Sequence, residues 1–281
     1  CRCTGQPFDR GTAHSRSRRP FRETEGVEMG GMSEVNFDEE FQRIQQALQK
    51  RLFKKVDYAG STSELLELGA ALKREGSAPY AALCLMAAAQ CQRSLEAPLK
   101  AAHHSVEAAQ LLLSEELHME ELTPAAFREH AAAAVHCYLA AIQSYLSSSR
   151  FALASALYTE VASHLAGLGN AADAALYLDK AAQLVERDTP VVAEALILQG
   201  AERRVEAADW GGALEALAWL ADVSQRRIAR LSSKVGEMER AHLSIANALL
   251  AQALVRVVLG EWAAAREMMA SLQTHAAAQL P

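Results

Sequence analysis

Residues 169–184 read GNAADAALYLDKAAQL, and the spacing of small side chains in this stretch decides the fold. Gly169 sits at a turn, Ala174 follows five residues later, and Ala181 seven beyond that. Glycine ends one helix and the alanines fall on one face of the next, where a neighbouring helix can approach closely. The spacing returns at 208–220, ADWGGALEALAWL, with Ala208, Ala213 and Leu217. It returns again at 260–272, GEWAAAREMMASL, with Gly260, Ala265 and Met269.

Tetratricopeptide repeats place small residues at these positions between two antiparallel helices, at a period of about 34 residues. Here the register advances by 39 and then 52 residues, which predicts an irregular array of long helices. A helix pair of this kind cannot bury its apolar face alone, so stacking supplies the core. The fold class read from the chain is all-α: a tetratricopeptide-like α-solenoid of about ten to eleven long antiparallel helices.

Capping signals punctuate the array. Asn36 with Glu39, and Ser61 with Glu64, read as capping boxes. Pro79, Pro98, Pro124 and Pro190 stand where a first helical turn begins, and Thr123 and Thr189 are N-cap residues beside two of them. Phe37, Phe41, Ile44, Leu48 and Leu52 make the apolar stripe of the first helix, and Gly76 ends the second. VRVVLG at 255–260 is the one β-branched cluster, and it continues the apolar face of Ile245, Leu249 and Leu250, so it reads as helix. Residues 1–35 carry six arginines without periodicity and read as a disordered tail, with Met29 or Met32 as starts. Residues 36–281 read as one helical domain, with an irregular connection near 222–241.

Composition agrees. Hydrophobic residues make up 51% and aromatics 6%, dominated by alanine and leucine, which suits helices and starves sheets. A net charge of −6 gives no reason to expect nucleic acid. No apolar run approaches the roughly 20 residues of a bilayer span, so no transmembrane segment is expected. Five unevenly spaced cysteines make no disulfide framework, and no signal peptide precedes the array, so a reducing cytosol is the default.

The stretch 77–96, SAPYAALCLMAAAQCQRSLE, tests whether the chain carries chemistry. On a helix from Pro79, the residues Tyr80, Leu83, Cys84, Ala88, Cys91 and Leu95 share one face and read as core packing, with Ala174 and Ala181 in the same role. Two thiols two turns apart lie about 10–11 Å apart along the axis, too far for a disulfide. Chelation would need His103 and His104 from another helix; packing is the reading taken. His136 beside Cys137 points about 100° away from it on a helix. Met268, Met269 and Trp262 read as interhelical packing. No nucleophile elbow, phosphate loop, zinc helix or dinucleotide fingerprint occurs, so no catalytic, cofactor or metal site is expected and the chain is read as non-enzymatic. Two charged stretches remain: KRLFKK at 50–55, with Lys50, Arg51, Lys54 and Lys55, and SEELHMEEL at 114–122, with Glu115, Glu116, Glu120 and Glu121. They read as solvated helix ends or as opposite charges that orient a large partner.

The block KKVDYAGSTSELLELGAALKREGSAPYAALCLMAAAQCQRSLEAPLKAAHHSVEAAQLLL resembles the family of the 40-kDa huntingtin-associated protein, also called the factor VIII intron 22 protein. The resemblance rests on LQKRLFKK, on Pro79-Tyr80-Ala81-Ala82, on Cys84, and on Cys91-Gln92 with Leu95; it is densest over about 36–120 and thins toward about 270. It implies a cytosolic helical adaptor, present also in the nucleus, that packs between the HEAT-repeat domains of huntingtin. It also implies an effector of a Rab-family GTPase on early endosomes. Family members carry a proline-rich insert where this chain has 222–241, and they extend further at the C-terminus. Long paired helices equally suit an adaptor resembling soluble NSF attachment proteins in membrane-fusion complexes.

Overall fold

The computed structural model describes residues 37–49, 56–122, 129–231 and 235–277, the side chains of 120–122 excepted. Among the described residues there are eleven α-helices and no strand. They are α1 (Phe37–Leu48), α2 (Tyr58–Arg74), α3 (Ala78–Ser94), α4 (Pro98–Leu122), α5 (Glu129–Ser147) and α6 (Phe151–Gly167), followed by α7 (Ala171–Val185), α8 (Pro190–Glu206), α9 (Trp210–Arg230), α10 (Val235–Val258) and α11 (Trp262–Ala277). Each helix packs mainly on the helices before and after it in sequence, so the fold is an all-α solenoid.

One turn, used six times, builds this array. Gly76, Glu96, Ser149, Gly169, Ala208 and Gly260 take positive φ values of 79°, 56°, 55°, 78°, 57° and 77°. In each case the next residue's N–H donates to the carbonyl five positions back, as in Asn170 to Leu165 and Asp209 to Arg204, both at 2.8 Å. The left-handed residue's own N–H donates three positions back, as in Gly169 to Ala166 at 2.9 Å. These paired bonds satisfy carbonyls that the helix end leaves open. The reversal takes three residues, which sets the flanking long helices side by side and antiparallel.

Helix starts follow the same economy. Asp57, Asn170 and Asp209 accept from the N–H groups of Gly60, Asp173 and Gly212. The expected Ser61–Glu64 box is therefore corrected: α2 begins at Tyr58 under Asp57, Ser61 is buried, and Glu64 pairs with Arg43 of α1 at 2.9 Å. Pro98 and Pro190 begin α4 and α8, and Pro79 is the second residue of α3. Thr189 occupies an N-cap position, but its hydroxyl donates to Val185 instead of capping. Asn36, Leu52, Thr123 and Pro124 lie outside the described residues.

The core runs along the array in three overlapping groups. Ile44, Leu65, Leu72, Cys84, Ala88 and Cys91 pack α1 to α3. Leu85, Ala109, Tyr138, Ile142 and Val161 join α3 to α6, and Leu178, Ile197, Leu220 and Val255 join α7 to α10. Alanine and glycine permit the close crossings. A Cβ on Gly69 of α2 would stand 3.3 Å from the Cβ of Cys84 on α3.

A helix held between two others buries two strips, and this corrects the face assigned to α3. Ala81, Cys84, Ala88 and Cys91 are buried on one strip, and Ala82, Leu85 and Ala89 on the next. Tyr80 and Leu83 are 49% and 50% exposed because they lie outside that arc, and Leu95, 42% exposed, is the C-cap residue beyond the last turn of α3. Ala174 and Ala181 are fully buried. In α11, Ala265 is buried, but Met269 and Trp262 are exposed, since among the described residues no later helix covers that side.

The segment 222–241 is mostly helical: 222–230 completes α9 and 235–241 opens α10, while 232–234 lie outside the described residues. Val223, Ser224, Arg227 and Ala241 are buried there, which carries the helices through a polar-looking sequence. By length and composition α10 is apolar enough to cross a bilayer, contrary to the reading that no such run exists. A core helix meets the same test, and α10 buries Ile245, Ala248, Ala253 and Val255 in the array.

Candidate interaction surface

The charged residues read as partner contacts divide three ways. Lys50, Arg51, Lys54 and Lys55, and the side chains of Glu120 and Glu121, lie outside the described residues. Glu115 is half-buried. Glu116 is only 2% exposed, and its Oε2 accepts the N–H of Ala131 in the first turn of α5 at 3.1 Å. Its expected role as a surface contact is therefore corrected: the side chain turns inward and satisfies a helix N–H that no carbonyl of its own helix can reach.

The thiols show no sign of reactivity. Cys84, Cys91 and Cys137 are free and buried. Burial pushes Cys84 and Cys137 up to about 11 from an ordinary 9.0, and raises Cys91 as well. A neutral thiol is neither nucleophile nor metal ligand. His136 is exposed while Cys137 faces the core, so the adjacent pair does not converge. Among the described residues, His103, His104 and Glu107 bring ligand-type atoms within 4.8 Å of one another. Lys73 Nζ occupies that corner at 3.4 Å from Glu107, and no cysteine joins the group.

Polar contacts bind the second half of the array from inside. Arg204 of α8 reaches Asp179 of α7, with Nη1 to Oδ1 at 3.2 Å, and lies beside the α9 cap residue Asp209. Arg227 Nε of α9 is 2.8 Å from Glu194 Oε1 of α8, with each side chain 8% exposed. Burial outweighs that arginine and holds Glu194 above the usual carboxylate range. Glu186 accepts from Trp219 Nε1 at 3.0 Å and pairs with Arg226 at 2.6 Å. In the first half, buried Tyr138 of α5 donates to Glu160 of α6 at 2.6 Å, and burial, then Glu160, push its phenol upward. The one trace in the sequence is a lone charge inside an alanine-rich helix, as in AEAL around Glu194.

One recess on the described surface lies between α3 and α5, beside Leu112 of α4. Pro79, Leu83 and Met86 of α3 face Ala133 and His136 of α5 over Leu112, around a cavity of about 530 Å³. A second cavity, of about 790 Å³, shares His136 and is lined also by Arg93, Glu96, Gln143 and Ser147. The first cavity is lined mainly by apolar surface and the second by a mixture of apolar and polar groups, and both helices start beside the first. Further apolar side chains stand exposed elsewhere, including Leu243, Leu254 and Val258 on α10.

No family model matches the chain. It is 31% identical over 186 residues, 66% of its length, to the 40-kDa huntingtin-associated proteins of Rattus norvegicus and Mus musculus. The match covers 49% of each, so the chain spans about half the length of the curated relatives it matches. The resemblance read from the sequence is thereby shown.

Proposed function

We propose that this chain, similar to the 40-kDa huntingtin-associated proteins, is a non-catalytic adaptor that binds and stabilises huntingtin. The observation that carries this reading is the 31% identity over 186 residues. Two features of the fold support it. The three buried thiols are held neutral, which leaves no nucleophile among them. Large apolar side chains stand exposed along α3, α8 and α10, the kind of surface that protein partners cover. A helical-repeat partner such as huntingtin, enclosing the array between its HEAT-repeat domains, would remove that surface from water. The same adaptor would join huntingtin to early endosomes as effector of a Rab-family GTPase, from a cytoplasmic and nuclear pool.

Affinity purification from native cytosol tests the reading directly. Huntingtin is expected among the co-purifying chains, and the GTP-loaded early-endosome GTPase is expected to be retained over its GDP form. A partner that binds only the folded chain raises its thermal midpoint by mass action, so addition of huntingtin should shift it upward. Recovery of membrane-fusion complexes without huntingtin would sink the proposal.

A further inference from the structure

We infer that His103, His104 and Glu107 of α4 form a site for one borderline transition-metal cation, zinc in the first place. Among the described residues this is the one group of three ligand-type side chains that converges, with its ligand atoms all within 4.8 Å of one another. Helix geometry brings them together. His103 and Glu107 stand one turn apart on the same face, and His104 is the next residue round, its ring centroid 5.6 Å from that of His103. Zinc bonds to nitrogen and oxygen run about 2.0–2.2 Å, which sets two ligands of a tetrahedral ion about 3.4 Å apart. Side-chain rotation at exposed His103 and half-buried Glu107 closes that difference without moving the helix.

A second observation points to a cation here. His104 Nδ1 is shielded from water and has no hydrogen-bond partner, an unmet polar atom that coordination would satisfy. Burial, and then neighbouring His103, hold this imidazole below its ordinary value, so at neutral pH it is uncharged and able to ligate. Glu107 already attracts a positive group: Lys73 Nζ of α2 lies 3.4 Å from its Oε1, with the two side chains 54% and 37% exposed. An ion pair so open to solvent holds weakly and gives way to a divalent ion on three ligands. Lys73 and Lys100 both oppose that ion and keep its affinity moderate. Two imidazoles and one carboxylate suit zinc, nickel or copper, whereas calcium and magnesium take oxygen ligands. The fourth position of the ion falls to water. The other close histidine pair, His242 of α10 and His275 of α11, has ring centroids 5.2 Å apart and gains no third ligand among the described residues.

Calorimetric titration with zinc chloride tests the site on the full chain carrying Cys1→Ser and Cys3→Ser, so that the N-terminal thiols do not contribute. One equivalent of zinc is expected to bind, and magnesium chloride to give no binding heat. His103→Ala and Glu107→Gln should each weaken zinc binding by about ten-fold or more, at a thermal midpoint in EDTA that matches the parent's. Lys73→Met removes a like charge and should tighten binding about five-fold, most clearly at low salt. His242→Ala should bind as the parent does. Parent-like affinity in His103→Ala or Glu107→Gln, loss in His242→Ala, or an unaltered affinity in Lys73→Met overturns the site. So does a parent chain that takes up no zinc.

Discussion

Glu116 accepts the N–H of Ala131 at 3.1 Å, so a side chain of α4 closes the first turn of α5 across a connection of six undescribed residues, 123–128. A carboxylate at a helix N-terminus also meets the positive end of its dipole. Glu116→Ala should lower unfolding free energy in urea by about 1–2 kcal/mol, and Glu116→Gln by less, because the amide oxygen still accepts.

The three left-handed residues that are not glycine make an opposite prediction. Glu96, Ser149 and Ala208 hold φ near 55° with a Cβ in place. Glycine at any of them relieves that crowding, offset in part by its greater freedom when unfolded, for a net gain of about 0.5–1 kcal/mol. Differential scanning calorimetry should show each midpoint rise, and Gly169→Ala should move it down.

Arg227 and Glu194 form a buried pair at 2.8 Å, and removing one partner strands the other. Glu194→Ala should destabilise by about 3–5 kcal/mol, whereas a combined Glu194→Leu and Arg227→Met change should stay within about 1 kcal/mol of the parent. A double-mutant cycle in urea reads the difference.

The buried thiols predict an alkaline limit. Cys84 and Cys137 titrate near 11 in the folded chain against 9.0 for an ordinary thiol, so the unfolded chain loses those protons first. A raised acid value means that stability is fully present below pH 9 and falls as pH climbs toward 11, by about 2–3 kcal/mol per thiol at the limit. Replacing both by alanine should flatten this decline, measured as urea midpoints across that window. At pH 8, native Cys84 and Cys137 should react with a thiol reagent at only the rate of unfolding.

The array itself was legible because its signals are local. Gly76, Gly169 and Gly260 each mark a turn, and alanines at fixed distances from them mark a crossing. Glu96 and Ser149 escaped notice, since neither residue type prefers a left-handed conformation and only the tertiary reversal holds it there. On α3, Cys84, Ala88 and Cys91 are buried as read, but the second strip of Ala82, Leu85 and Ala89 was missed, because a single amphipathic stripe describes a helix with one neighbour, whereas α3 has two. Glu116, Glu194 and Arg227 were unreadable for a related reason. A charge in a helix looks solvated until its partner on another helix is known.

Packing restricted mainly to sequence neighbours makes the molecule mechanically a set of springs in series. Load applied at its ends passes through every junction, and the most yielding junction takes most of the bend. Among the junctions from α2 onward, that is α5–α6, the most thinly packed, pinned by Tyr138 to Glu160 and turned by strained Ser149. A rotation there carries the whole of each flanking stack with it. The curvature of the array can thus change while every helix stays intact.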